Sequence, residues 1–202
     1  MARQFWDEDF RRRTLIDMLQ LNFNEYKIEL SNESDYTPDS TDISFVFDKI
    51  FIDEESKIYQ STKHGIKILK DEKILSNALI CAVGGATGIY ENSAVIVDNS
   101  ILICCANKVF SLNLPDLDLN WLKEVDSATC FSIFNTKNGI FIHGEMEVSK
   151  IDKSGNIIWS QGFADILVTL DGKESFILHD DFIEIEDWNH DKYKLDFNGK
   201  FI

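Results

Sequence analysis

The sequence has little proline and no long apolar run. Pro38 and Pro115 are the only prolines among 202 residues, so nearly the whole backbone is free to donate the hydrogen bonds of β-ladders. No stretch of about 18 apolar residues exists, which argues against a membrane-spanning helix. The first residues contain no apolar signal core. We therefore expect a chain that stays in the cytoplasm and has no membrane partner.

Cysteine is also scarce, and no CxxC pair is present. Cys81, Cys104, Cys105 and Cys130 each lie in an apolar run, which is the usual setting of buried, reduced thiols. Cys104 and Cys105 are neighbours on a predicted strand, so their side chains point to opposite faces and do not suit a disulfide. The cysteines therefore indicate core packing.

Positive charge is scarce relative to negative charge. The chain has 35 acidic and 20 basic residues, for a net charge of −15. A field of this sign repels phosphate backbones, so we expect no nucleic-acid binding. It attracts basic proteins and speeds encounter with them, although the same charge also serves solubility alone.

Motifs for catalysis and for cofactor binding are missing. None of the histidines stands in a ligand spacing such as HExxH; they are His64, His143, His179 and His190. His179 precedes Asp180 and Asp181 and is the best acid–base candidate, but a histidine in a turn beside solvated aspartates is the simpler interpretation. Asp180, Asp181 and Asp187 lack the oxygen ladder of an EF-hand calcium site. We therefore expect no enzyme, no cofactor and no metal.

Three zones follow one another in what we expect to be a single domain. Residues 1–22 contain all four arginines and an apolar stripe that ends in Met18 and Leu19, a spacing that predicts a helix. This helix either closes one end of a β core or presents a basic patch to a partner. Residues 23–42 predict a bridging strand and loop, and residues 43–202 predict short strands separated by turns.

The clearest internal repeat begins at Ser93. Four predicted strands succeed one another twice in the same order, with Trp121 and Trp159 about 40 residues apart in the fourth strand. A weaker third pass follows, in which Ile166–Leu170 predicts the first strand and His179 matches His143. Four strands and a recurring tryptophan are typical of β-propeller blades. Since one blade cannot bury both of its faces, neighbouring blades must stack.

One segment carries a family resemblance. Residues 150–160, with the sequence Lys-Ile-Asp-Lys-Ser-Gly-Asn-Ile-Ile-Trp-Ser, resemble the repeat of bacterial PQQ-like β-propeller proteins. In that repeat a strand ends in Asp, a Gly-bearing turn follows, and the next strand carries Trp. Residues 195–202 copy the pattern of residues 151–158, which leaves a second register open for the last blade. The cofactor of PQQ-dependent enzymes needs a larger ring, so the resemblance implies the fold alone.

The residue count limits the size of the fold. Roughly 160 residues at about 40 per blade allow about four blades, and propellers usually close with about 4 to 8. The predicted fold is therefore all-β, with antiparallel four-stranded blade-like repeats. They form either an open half-propeller or a small closed propeller, preceded by the short N-terminal helix.

The C-terminal stretch 180–191 interleaves carboxylates with aromatic residues. Strand alternation places Glu184 and Glu186 on one face and Ile183 and Ile185 on the other. Aromatic anchors ringed by polar groups are typical of protein interfaces, and carboxylates suit a partner rich in Arg and Lys. The candidate partner-binding residues are Asp180, Asp181, Glu184, Glu186, Asp187, Trp188 and Asp191.

Two functions fit these observations. In size, charge and incomplete-propeller pattern, the chain is similar to immunity proteins of contact-dependent growth inhibition and polymorphic-toxin systems. That similarity implies a non-enzymatic inhibitor whose partner is a basic, nuclease-type cognate toxin. The alternative is a generic propeller-like scaffold that binds a peptide or a small ligand. We expect the inhibitor.

Overall fold

The computed structural model describes residues 18–37, 45–169 and 173–202. Within these ranges the chain forms strands and turns, with one short 3-10 turn at Glu54–Ser56 and no α-helix. The strands assemble into four sheets that follow one another along the chain. The all-β class predicted from the short apolar runs is confirmed.

The first sheet has five strands. They are β1 (Met18–Phe23), β2 (Tyr26–Asn32), β3 (Lys49–Ile52), β4 (Thr62–Lys70) and β5 (Lys73–Ala82). Their order across the sheet is β1-β2-β4-β5-β3. Strand β3 runs parallel to β5, whereas the other neighbours are antiparallel.

The second and third sheets are four-stranded antiparallel meanders, as the repeat predicts. The strands of the second sheet are β6 (Ala94–Val97), β7 (Ser100–Cys105), β8 (Lys108–Asn113) and β9 (Leu119–Glu124). Those of the third are β10 (Cys130–Thr136), β11 (Gly139–Gly144), β12 (Glu147–Ile151) and β13 (Ile157–Gly162). Each pairs with its sequence neighbour, so the blade-like architecture is confirmed for both sheets.

The fourth sheet is shorter. It contains β14 (Phe176–Leu178), β15 (Ile183–Glu186) and β16 (Lys192–Leu195), paired in that order. Beyond β16, Leu195 forms an isolated antiparallel bridge to Phe201. In the third sheet Ile151 pairs with Ile157 in the same relation, so β16 is the counterpart of β12.

This register corrects two predictions for the last repeat. Of the predicted strand Ile166–Leu170, residues 166–169 form no strand, and Leu170 lies outside the described residues. His179 does not match His143, because the register of β15 puts Glu186 in the place of His143. The carbonyl of Leu167 instead accepts hydrogen bonds from the buried Ser175 hydroxyl and from Nε2 of His143, at 2.7 and 3.1 Å. This segment therefore joins the third sheet to the fourth through side chains.

The predicted N-terminal helix is wrong where it can be compared with the structure. Its last residues lie in β1, and residues 1–17 are outside the described ranges. Leu19, Leu21 and Phe23 alternate with polar residues, which is the period of a strand. Asn24 has a φ of 52° and opens a tight hairpin into β2. Pairing with β2 therefore outweighs the helical spacing of the few apolar residues in this segment.

The sheets stack face to face through three hydrophobic clusters. One joins the first sheet to the second, one the second to the third, and one the third to the fourth. Strand β7 shows how one sheet serves two clusters. Ile101 and Ile103 belong to the first cluster, whereas Leu102 and Cys104 belong to the second, since alternate side chains point to opposite faces.

The outward side of the first sheet is covered by its own chain. Phe47 packs on Leu79 and Cys81, and Tyr36 and Phe45 complete this small cluster. Among the described residues no hydrophobic cluster joins the first sheet to the fourth. The described residues therefore form no closed ring, and their four sheets pack as an open series.

A tryptophan on each of two sheets fixes the position of the next. Trp121 donates its indole N–H to the carbonyl of Lys153 at 3.1 Å, and Trp159 donates to Phe197 at 3.2 Å. Each ring lies against a glycine of the neighbouring turn. A Cβ on Gly155, whose φ is 82°, would stand 2.7 Å from Cδ2 of Trp121. The Trp and Gly that recur in the sequence therefore form the same contact between neighbouring sheets each time.

A buried carboxylate holds the connection between the second and third sheets. Oδ1 of Asp126 accepts the backbone N–H groups of Ala128 and Thr129 at 2.7 and 2.9 Å. Oδ2 accepts those of Met146 and Glu147 at 2.9 and 2.8 Å. One side chain thus satisfies four donors that two loops would otherwise bury unpaired.

Lys108 connects the first and second sheets through charge. Its buried ammonium lies 3.3 Å from Asp53, 3.4 Å from Glu55 and 3.3 Å from Glu124. Burial alone would lower the pKa of Lys108, but the carboxylates of Asp53 and Glu124 outweigh it and raise that pKa. The lysine therefore stays charged.

His64 is fully buried on β4, and neither of its ring nitrogens has a hydrogen-bond partner in the described part of the chain. Burial penalises the charged imidazolium and lowers the pKa of His64 to about 4, and this outweighs the opposing effect of the Lys63 backbone. The neutral ring is thus part of the folded state.

Replacing Gly155 tests the tryptophan contact. We expect Gly155→Ala to lower the free energy of unfolding by about 2–4 kcal/mol, because it combines a positive φ with a clash against Trp121. Gly162→Ala is the control, since nothing lies within 4 Å of its Cβ position, and it should change stability by less than about 0.5 kcal/mol. Urea unfolding measures both. Equal effects would contradict the proposed contact.

His64 should make the fold sensitive to acid. Its folded-state pKa of about 4 lies below the ordinary 6.5, so protons bind the unfolded chain first. Stability should fall as the pH drops from 6.5 to about 4, by up to about 3 kcal/mol. Urea unfolding across this range should show the loss in the wild type and in His190→Gln. A His64→Leu variant that keeps the same slope would refute this assignment.

Candidate functional site

One face of the fourth sheet has no covering sheet among the described residues. We call this surface the outer face, and its residues on the strands are Ile177, Glu184, Glu186, Lys192 and Lys194. None of them belongs to a hydrophobic cluster. The alternating residues Ile183 and Ile185 are fully buried against the third sheet. The predicted separation of glutamates from isoleucines is therefore seen in the structure.

Cross-strand pairing decides which charges meet on the outer face. Glu184 lies opposite Lys194, and Glu186 lies opposite Lys192. On the other side of β15, Glu184 lies opposite Ile177, whose side chain is 40% exposed. The face predicted from the glutamates as acidic is thus a mixed face, with lysines from β16 beside carboxylates from β15.

The two glutamates of the outer face share one lysine. Nζ of Lys192 lies 3.7 Å from Glu184 and 3.4 Å from Glu186. Nδ1 of His190 also contacts Glu186, at 2.7 Å. The His190 hydrogen bond, aided by Lys192, lowers the pKa of Glu186, so this carboxylate remains ionised at neutral pH.

An aromatic contact adjoins the glutamates. The rings of His179 and Phe182 stack with centroids 4.2 Å apart, and Nζ of Lys194 lies 4.6 Å from the centroid of Phe182. Nε2 of His179 is 3.6 Å from Glu184, which is too long for a hydrogen bond. His179, the acid–base candidate of the sequence, therefore belongs to the edge of the outer face.

Asp187 is the predicted site residue that the structure places in the interior. It is 0% exposed, and its Oδ1 accepts the backbone N–H groups of Asn189 and Asp191 at 2.9 and 3.0 Å. Its Oδ2 accepts the hydroxyl of Tyr193 at 2.9 Å, which raises the pKa of that phenol. The carboxylate shapes the turn between β15 and β16.

The remaining predicted residues lie at the two ends of β15. Asp180 and Asp181 are exposed in the turn before the strand, and Asp191 is exposed in the turn after it. They make no ion pair with any residue that the structure describes. Trp188 is half-buried and donates its backbone N–H to Ile166 at 2.8 Å. The set therefore surrounds the outer face and does not form one compact cluster.

Sequence reasoning missed the basic part of this surface. Lys192 and Lys194 alternate with Tyr193 and Leu195, a period of two that itself predicts a strand with one charged face. That signal does not tell which strand lies beside it. Only the pairing of β15 with β16 brings the lysines onto the glutamates.

His143, another histidine considered for chemistry, lies in the packed interior. His143 is buried between Phe131 and Phe176, with ring centroids 5.4 and 5.2 Å away. In the ranges that the structure covers, no group of three or more His, Cys, Asp or Glu side chains is arranged to hold a metal ion.

The described part of the chain has no helix with the length and apolar character that a membrane span requires.

No family model and no curated protein matches this chain. Among solved structures, the WD40 domain of Pan2 from Neurospora crassa aligns with a TM-score of 0.44 and 14% identity over 55% of this chain. The CNH domain of AfRom2 aligns with a TM-score of 0.45 and 9% identity over 92%. The computationally designed protein Ika8 gives 0.45 and 8% over 91%. This chain spans 36%, 66% and 46% of those three structures.

Removing Asp187 separates its structural role from partner binding. We expect Asp187→Ala to cost about 2–4 kcal/mol of unfolding free energy, because two turn amides and the half-buried Tyr193 hydroxyl lose their buried acceptor. Asp180→Ala, at an exposed position in the preceding turn, should stay within about 0.5 kcal/mol. Thermal and urea unfolding report both. If Asp187→Ala were as stable as the wild type, its carboxylate would not hold the turn.

Proposed function

We propose that this chain is a non-enzymatic protein-binding inhibitor, an immunity protein that neutralises a basic, nuclease-type toxin. The observation that carries the proposal is the outer face of the fourth sheet, which no other sheet of the described residues covers. Exposed carboxylates stand at both of its ends, at Asp180, Asp181 and Asp191, and they form no ion pair within the described ranges. A sheet face of this kind suits a second protein better than a small molecule.

The charge of the chain supports a basic partner. Its net charge is −15, and long-range attraction between opposite charges accelerates the encounter of two proteins. Nucleases bind phosphate backbones through Lys and Arg. An acidic protein that covers such a surface blocks substrate access without any chemistry of its own.

The structure of the fourth sheet supports a preformed binding surface. Its buried side is packed on the third sheet through Phe141, Ile183 and Leu195. The turn at its end is held by the internal hydrogen bonds of Asp187. A surface fixed in this way binds without a large ordering cost.

Charge neutralisation at one end of the outer face provides the test. The probe is the product of the reading frame directly upstream of the gene, because an immunity protein is encoded beside its toxin. We expect the double variant Asp180→Asn/Asp181→Asn to bind the upstream gene product roughly tenfold more weakly than the wild type at low salt, about 50 mM. At about 500 mM salt the difference in affinity should be smaller. Calorimetry measures affinity, and growth on toxin co-expression measures neutralisation.

The control variant removes the same charge from another sheet. Asp71→Asn/Glu72→Gln changes two adjacent exposed carboxylates in the turn between β4 and β5, and should bind as the wild type does. A folded wild-type chain that neither binds nor neutralises this product would overturn the inhibitor proposal. Binding that ignores both salt and the Asp180/Asp181 change would favour a generic scaffold.

A further inference from the structure

Two carboxylates on the outer face share one lysine, and the distances of both contacts are long. Lys192 contacts Glu184 at 3.7 Å and Glu186 at 3.4 Å. Charge-assisted N–H···O bonds in proteins are usually about 2.7–2.9 Å long. The single ammonium therefore lies between two acceptors and is close to neither.

Burial differs between the partners of this ion pair. The side chains of Glu184 and Glu186 are 26% and 16% exposed, whereas that of Lys192 is 63% exposed. The carboxylates are thus held within the sheet surface, and their cation covers them from the solvent side. Lysine has a flexible four-carbon stem, so it can leave this position without disturbing β15.

The outer face contains a depression to which these charged groups contribute. Its lining consists of Lys173, Glu174, Ser175, Ile177, Glu184, Glu186 and Lys192. The exposed isoleucine offers an apolar contact for the methylene stem of a long side chain. The hydrogen bond from His190 keeps Glu186 ionised by lowering its pKa. The depression thus combines carboxylates with an apolar contact.

We propose that this depression binds an arginine side chain of the basic partner, and that Lys192 occupies the site in the free chain and is displaced on binding. The assignment rests on the proposed function, of which it names the local chemistry. A guanidinium is planar and presents five donors in different directions. It can therefore donate to both glutamates at once, which a point-like ammonium between them does not achieve.

Lys192 competes with the arginine for the two glutamates in this arrangement. Removing a competing internal cation should strengthen binding, so Lys192→Met should gain affinity for an arginine ligand. Lys194→Met is the matched control. It makes the same charge change on the same strand and face, but its Nζ lies over Phe182 and forms no ion pair with the described carboxylates.

The experiment uses the full chain and two peptides, hexa-arginine and hexa-lysine, in calorimetric titrations at low salt. We expect the wild type to prefer hexa-arginine, and Lys192→Met to bind it roughly tenfold more tightly. Lys194→Met should gain much less. Glu184→Gln should weaken hexa-arginine binding roughly tenfold and reduce the preference over hexa-lysine. Thermal unfolding checks that each variant is folded. Both lysines are exposed, so we expect their replacement to leave the fold intact.

Two results would overturn the arginine site. Equal gains for Lys192→Met and Lys194→Met would mean that net charge alone governs binding. Equal affinity for the two peptides would remove the guanidinium preference. Neither result bears on toxin neutralisation through Asp180 and Asp181, which is measured with the upstream gene product. Loss of that neutralisation alone, with the peptide preference intact, would overturn the proposed function and leave the arginine site.

Discussion

The second and third sheets are apolar on both faces, and the rest of the structure depends on covering them. Ile103 and Cys104 are neighbours on β7, yet each is fully buried in a different cluster. A sheet of this kind cannot fold alone, because apolar area left in water costs about 25 cal/mol per Å². The first and fourth sheets supply the two missing covers. The outward sides of the two terminal sheets differ. That of the first sheet is covered by its own chain, whereas that of the fourth sheet is the outer face.

Hydrophobic stacking has no direction of its own, and polar contacts supply the alignment between sheets. The indole of Trp121 reaches the backbone of Lys153, and Asp126 binds amides from two separate loops. Lys108 does the same between the first and second sheets through the carboxylates of Asp53 and Glu55. These contacts lie at the turns, where the chain has donors and acceptors left over from the ladders. They make the open series of sheets a defined support for the outer face.

Charge has two separate roles in the proposed function. The net charge of −15 acts at long range and affects how fast a basic partner arrives. The outer face is nearly balanced locally, since Glu184 and Glu186 face Lys192 and Lys194. In the proposed arginine site, recognition depends on exchange of one cation for another. The exposed carboxylates at the ends of β15 connect the two roles, because no lysine of the described residues neutralises them.

The sequence alone determined the local pattern of the chain. Alternation along β15 gave the buried and outward residues, and the spacing of Trp121 and Trp159 gave the repeat of four-stranded sheets. These features are local, since a strand reveals its two faces within a few residues. The candidate site was predicted in part, because the same alternation identified Glu184 and Glu186 as outward residues.

Tertiary structure alone decided which strands meet. It turned Asp187 inward onto Tyr193, put Lys192 between two glutamates, and placed Met18 in a strand. Strand pairing is non-local, and a change of one residue in register would exchange every face. No segment read by itself contains that register, which is fixed by the packing of each sheet on the next.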